Sequence, residues 1–154
     1  MSREVRRVPA DWQHPTEQKK DFRSERMAEK FKPLNPGEKY PRDAAGFIEK
    51  LNTEGLQEAV EYYGQAPDKN DYMPDWTEDQ RTHLMMYEDT SKGTPISPAF
   101  KTPEELARWL VDNNASAFGG EGASYEGWLR VAKGGFAPSM IISNGRIESG
   151  VDAG

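Results

Sequence analysis

The imidazoles available for chemistry are His14 and His83, and the chain contains no cysteine. Thiolate nucleophiles, disulfides and cysteine-based zinc sites are therefore excluded, and a histidine-rich metal site is close to excluded. Carboxylates, hydroxyls, amines and aromatics remain. His83 follows Asp79 by four residues and precedes Glu88 by five, which offers a histidine–carboxylate pair for general acid–base work. A packed or surface histidine explains the same residues more simply. His14 stands between Gln13 and Pro15 in a stretch that reads as extended, and no Ser or Thr has an identifiable base nearby. No catalytic residue, metal ligand set or cofactor is assigned.

Two segments offer recognition rather than catalysis. In NDYMPDWTED the acids Asp71, Asp75, Glu78 and Asp79 crowd together, but their spacing does not match a calcium loop and Pro74 interrupts any helical alignment. Combined with Tyr72 and Trp76, they read as a partner-binding surface in which aromatics give contact area and carboxylates steer basic patches. The expected partner-binding set is Asp71, Tyr72, Asp75, Trp76, Glu78 and Asp79. The alternative is a small-molecule or nucleotide site built from the glycine-rich FGGEGAS (Gly119, Gly120, Gly122, Ser124) and the turn around Ser91 and Thr94. That loop lacks the lysine and spacing of a phosphate-binding P-loop, and Glu121 would repel phosphate, so a turn between helices accounts for it better. The basic groups Arg3, Arg6, Arg7, Lys19, Lys20, Arg23 and Arg26, with Trp12 as a stacking ring, suggest nucleic-acid contact, but acids are interleaved with them.

These residues must be placed by a chain of 154 residues, the size of one ordinary domain. Only 35% of it is hydrophobic and the net charge is −6, unevenly spread. Residues 1–40 carry ten basic and seven acidic side chains, whereas Asp43 to Asp89 carries twelve acidic and three basic ones. Such a field repels duplex DNA. No apolar run approaches the roughly 20 residues that span a bilayer, and the N-terminus lacks the apolar centre of a secretory signal, so a cytoplasmic protein is expected.

The expected fold is α+β. Residues 1–40 read as an extended, partly helical arm, with a short helix between Thr16 and Pro33; residues 41–154 read as a single domain. Within it, apolar spacing predicts one kinked or two short helices over 43–64 with Gly55 as the break, and a possible helical turn after Trp76. A central strand is expected at 82–88. TPEELARWLVDNN predicts a helix capped by Thr102 with Pro103 at its first position, and SYEGWLRVAKGG a second one capped by Ser124 and ended by Gly134 or Gly135. Asn144-Gly145 between apolar stretches predicts a terminal β-hairpin. A small antiparallel sheet made of the central strand and this hairpin, packed with helices, would bury Trp109, Trp128, Leu106, Leu129, Ile141 and Ile147.

REVRRVPADWQHP, and the wording of residues 72–151 from YMPDWTEDQ through YEGWLRVAKGGFAPSMIISNGRIESGV, resemble small hypothetical proteins of tailed phages and prophages. Residues 16–71 have no counterpart in that resemblance, and it carries over no catalytic residues. It implies a phage accessory protein in the bacterial cytoplasm, non-enzymatic, that binds and blocks a host protein such as a CRISPR or other defence complex.

Overall fold

A computed structural model describes residues 2–89, 92–117, 122–138, 140–143 and 146–149. In chain order the strands are β1 (Ser2–Val8), β2 (Thr16–Lys20), β3 (Met27–Phe31), β4 (His83–Asp89), β5 (Thr94–Pro95), β6 (Phe136–Pro138), β7 (Met140–Ser143) and β8 (Arg146–Ser149). The helices are α1 (Lys39–Glu54), α2 (Leu56–Tyr63), α3 (Pro103–Asp112) and α4 (Tyr125–Gly134). The α+β class is as expected. The chain forms two compact units, Met1–Lys32 with Trp76–Gly154, and Pro33–Asp75, rather than dividing at residue 40.

In the first unit an antiparallel sheet runs β5-β4-β1-β6. The register of β1 on β4, from Ser2↔Asp89 to Val8↔His83, sorts side chains by alternation. Val5, Leu84 and Met86 face the helices. There they meet the fully buried Leu106, Ala107 and Leu110 of α3 and Trp128 of α4, with Val131 and Ala132 almost as deep and Trp109 and Leu129 half-buried at the margin. Glu4, Arg6, Val8, Met85 and Tyr87 share the opposite face. The indole Nε1 of Trp128 has no hydrogen-bond partner among the described residues.

Local chemistry explains the helix ends. Thr102 Oγ1 accepts from the Glu105 N–H at 3.1 Å and Pro103 opens α3, while Ser124 Oγ accepts from the Gly127 N–H at 3.0 Å. Gly135, at φ +90°, ends α4 in the left-handed conformation that glycine adopts without a Cβ clash.

Two expectations are corrected. Residues 2–31 are not a partly helical arm: β1 is an inner strand of the sheet, and Thr16–Phe31 is a β-hairpin. Asp21 closes the hairpin tip, its N–H donating to the Arg26 carbonyl and its carboxylate accepting from the Arg23 N–H, with Glu25 at φ +59°. That turn chemistry overrides a helical spacing of Phe22, Met27 and Phe31 that has nothing to pack on. Nor does the terminal hairpin join the central strand. β7 and β8 pair with each other from Met140↔Ser149 to Ser143↔Arg146 as a separate ribbon, while β4 takes β1 and β5 as neighbours. The Asn144-Gly145 turn and the side chains of Ile141 and Ile147 lie outside the described set.

The second unit is a helix pair broken at Gly55, whose φ of +93° suits glycine. Phe47 of α1 and Ala59 of α2 are buried, and the Phe47 and Tyr63 rings meet edge to face at 6.0 Å. Its two ends are tied together: the Asn35 N–H donates to the Asp71 carbonyl and the Met73 N–H to the Asn35 carbonyl.

Candidate functional site

The acidic stretch predicted for partner binding does not present its aromatics. Tyr72 is buried; its hydroxyl donates to Asp43 Oδ2 at 2.6 Å and its ring meets Tyr40 at 5.1 Å. Burial and then the Asp43 carboxylate push the phenol up to about 12. Trp76 is half-buried edge-on against Trp12 at 4.8 Å, and its carbonyl accepts from both Nε and Nη2 of Arg81. Glu78 pairs with Arg7 at the surface. Asp71 is half-buried, its backbone carbonyl accepting from the Asn35 N–H, whereas Asp75 and Asp79 are exposed. Asp71, Tyr72 and Asp75 belong to one unit, and Trp76, Glu78 and Asp79 to the other.

The alternative ligand loop is largely occupied by structural tasks. Ser124 caps α4, an added Cβ at Gly122 would lie 2.6 Å from Asn114 Oδ1, and Thr94 pairs with Glu88 between β5 and β4. Ser91, Gly119 and Gly120 lie outside the described residues. Among the described residues no group of three or more His, Asp or Glu is placed to hold a metal ion. His83 engages the Thr82 hydroxyl through Nδ1 at 2.8 Å, rather than Asp79 or Glu88.

Sequence spacing gave no hint of a polar cluster on the sheet face opposite the helices. Tyr87 is fully buried at its centre. Its hydroxyl lies 2.9 Å from His14 Nδ1 and 3.2 Å from Trp12 Nε1, while His14 Nε2 lies 2.6 Å from the Lys32 carbonyl. A carbonyl only accepts, so Nε2 carries the proton; Nδ1 then accepts from the Tyr87 hydroxyl, which accepts in turn from the indole. Beneath it Arg6 sits 4.4 Å from the Tyr87 ring centre, bonded to Glu4 Oε1 at 2.7 and 2.9 Å and to the Lys92 carbonyl at 2.8 Å. Desolvation lowers the His14 pKa, the Lys32 carbonyl bond partly offsets this, and Arg6 lowers it further. Tyr87 is pushed up to about 12, mainly by burial. Both imidazole nitrogens are engaged and the residue is only 6% exposed, so this relay holds β1, the Trp12–His14 segment and β4 together rather than presenting a base to substrate.

The accessible recognition surface in the acidic half of the chain is the helix pair. On α2 the helical period places Leu56, Ala59, Val60 and Tyr63 on one stripe. Ala59 is buried, yet Leu56 is 63% exposed and Val60 and Tyr63 are also exposed. Tyr62 beside them is 71% exposed, stacked edge-on with Tyr63 and capped by Lys50 Nζ at 4.7 Å from its ring centre. Glu49, Glu54, Glu58 and Glu61 are all exposed on the same two helices. The signal was present in the sequence as tyrosines within an acidic run, but the same apolar spacing serves a buried helix equally well.

No helix among the described residues is long and apolar enough to cross a membrane. No protein-family model matches the chain, and neither a curated protein nor a solved structure matches it.

Proposed function

We propose that this chain is a non-enzymatic phage accessory protein that binds and blocks a host protein bearing a basic surface, and that α1 and α2 supply the contact. The observation that carries this reading is the exposure of Leu56, Tyr62 and Tyr63 among the exposed carboxylates Glu58 and Glu61. Exposed tyrosines give rigid amphipathic contact area, and surrounding acids steer the encounter toward cationic partners. The unit Pro33–Asp75 holds nine acidic and four basic side chains, net −5. Asp75 and Asp79 add long-range field rather than contacts. A nucleic-acid-binding defence complex, of which a CRISPR effector is one kind, has the basic groove such a surface suits, and the resemblance to small tailed-phage proteins supports that context.

The test is capture of host protein from bacterial lysate by the tagged chain, at low and high salt. Glu58→Lys/Glu61→Lys and Tyr62→Ala variants are run in parallel. The expected result is a stoichiometric partner that is lost with salt and lost in both variants, because attraction between exposed charges is screened beyond about 10 Å at 0.1 M ionic strength. Retention of the same partner by both variants refutes this surface; a bait that captures nothing refutes the host-partner reading.

A further inference from the structure

The β2–β3 ribbon buries little of itself. Each strand has five residues, of which one is half-buried, Glu17 in β2 and Ala28 in β3, and the others are exposed. A two-stranded ribbon standing alone is marginally stable at best. Its ladder is fixed at both ends: the Asp21 N–H donates to the Arg26 carbonyl near the tip, and the Lys32 N–H to the Pro15 carbonyl at the base. By alternation the amides of Glu17, Lys19, Ala28 and Lys30 point across the ribbon. At the base His14 grips the chain twice, donating from Nε2 to the Lys32 carbonyl at 2.6 Å and meeting the Phe31 ring edge to face at 5.7 Å. The same imidazole is joined through Nδ1 to the Tyr87 hydroxyl of β4 at 2.9 Å. His14 thus bridges ribbon and sheet within the first unit.

We infer that His14 is a proton-operated latch: while neutral it fastens the base of the ribbon to the sheet, and on taking up a proton it lets the ribbon open while the sheet, α3 and α4 stay folded. The bonds at the imidazole require one ring nitrogen to donate and the other to accept. A proton on Nδ1 ends the acceptance. The hydrogens of Nδ1 and of the Tyr87 hydroxyl then face each other, and the hydroxyl oxygen already accepts from Trp12 Nε1. The new charge also appears in a site only 6% exposed. On β1 it meets the Arg6 guanidinium, which repels it, and Glu4, whose carboxylate is bonded to Arg6. On β4 it meets the uncharged Tyr87, and on the segment before the ribbon Trp12. At the ribbon base it meets Phe31 and the Lys32 carbonyl. The Nε2–H bond to Lys32 survives in either state, so the break falls at Tyr87 and the imidazolium leaves with the ribbon. Detached, the ribbon loses the support that two strands need. The latch lies in the first unit and is independent of any partner on α1 and α2.

The experiment is nitrogen-15 relaxation of the full chain from about pH 7.5 to about pH 5, a range that titrates histidine and leaves ordinary carboxylates, near about 4, largely ionised. Amide order parameters at Glu17, Lys19, Ala28 and Lys30 are expected to fall from about 0.85 to below about 0.6. The midpoint should match the titration of the His14 imidazole resonances, while Val5 and Met86 in the sheet stay near about 0.85. The pH response is expected to vanish in His14→Gln, whose amide can donate to Lys32 and accept from Tyr87 throughout the range. In His14→Ala the ribbon is expected to be loose at every pH, with Val5 and Met86 reporting an intact sheet. A parent ribbon equally ordered at both ends of the range overturns the inference. So does an unaltered response in His14→Gln, which assigns it to another group such as His83, or a ribbon that stays ordered in His14→Ala. Loss of order at Val5 and Met86 together with the ribbon also overturns it, since the transition is then global.

Discussion

Replacing Tyr87 with Phe removes one oxygen from the centre of the polar cluster and leaves its ring in place against Arg6. That oxygen serves two neighbours: it donates to His14 Nδ1 and accepts from Trp12 Nε1. Each hydrogen bond contributes about 0.5–1.5 kcal/mol net, and a buried group left without a partner costs about 1–3 kcal/mol. Trp12 is half-buried and can turn to water, whereas His14 is buried and cannot. The loss therefore centres on one orphaned imidazole nitrogen and amounts to about 2–3 kcal/mol. With a urea slope of about 2 kcal/mol per molar, the unfolding midpoint falls by about 1–1.5 M. Tyr62→Phe is the control, because its hydroxyl belongs to an exposed residue and the midpoint should not move. A double-mutant cycle with His14→Phe should return a coupling of about 1 kcal/mol or more. A Tyr87→Phe midpoint within about 0.2 M of the parent, or a cycle that closes to zero, would refute the relay and the tautomer assigned to His14.

Three further outcomes follow from the same unit. His14 is held below its ordinary pKa, so at mildly acidic pH the unfolded chain binds a proton that the folded chain refuses. Its contribution to stability is thus complete above about pH 6.5 and is lost as pH falls toward the folded value. Urea midpoints measured from pH 7.5 down to 5 should decline in the parent and flatten in His14→Gln. At Gly93, φ is +145° and an added Cβ would lie 2.2 Å from Arg6 Nη2, so Gly93→Ala should cost about 1–3 kcal/mol in the same assay. Gly134→Ala, with nothing within 4 Å in α4, should be neutral or stabilising by up to about 1 kcal/mol.

The parts of the fold legible in the sequence are those written in local chemistry. Thr102 with Pro103, Ser124 and Gly135 mark the ends of α3 and α4, Gly55 marks the break between α1 and α2, and the apolar run before Glu88 marks β4. β1 was not legible because Arg3 and Arg6, both buried, disguise an inner strand as a solvated arm. Their partners, the Ser116 carbonyl for Arg3 and Glu4 and the Lys92 carbonyl for Arg6, are mostly remote in sequence. The hairpin was masked by charges that suit a surface helix as well as a ribbon. For the site, acidity was readable but orientation was not: Tyr72 and Trp76 turn to Asp43 and Trp12, and the exposed tyrosines are Tyr62 and Tyr63. His14 and Tyr87 are 73 positions apart, and no local pattern joins them.

The place of β1 in the sheet sets a timetable for synthesis. It leaves the ribosome before either strand that flanks it, since its first partner begins at His83 and its second at Phe136. At about 5–20 residues per second, β1 waits roughly 4–15 s for β4 and longer for β6. In that interval Pro33–Asp75 emerges as one continuous piece whose ends are joined by Asn35, Asp71 and Met73, so it can assemble before the sheet is complete. The waiting strand is rich in charge, with Arg3, Glu4, Arg6 and Arg7 in seven residues. Charges on a lone strand act as gatekeepers against pairing with other nascent chains. The arginines that later lie buried in the finished sheet thus first protect the unfinished one from aggregation.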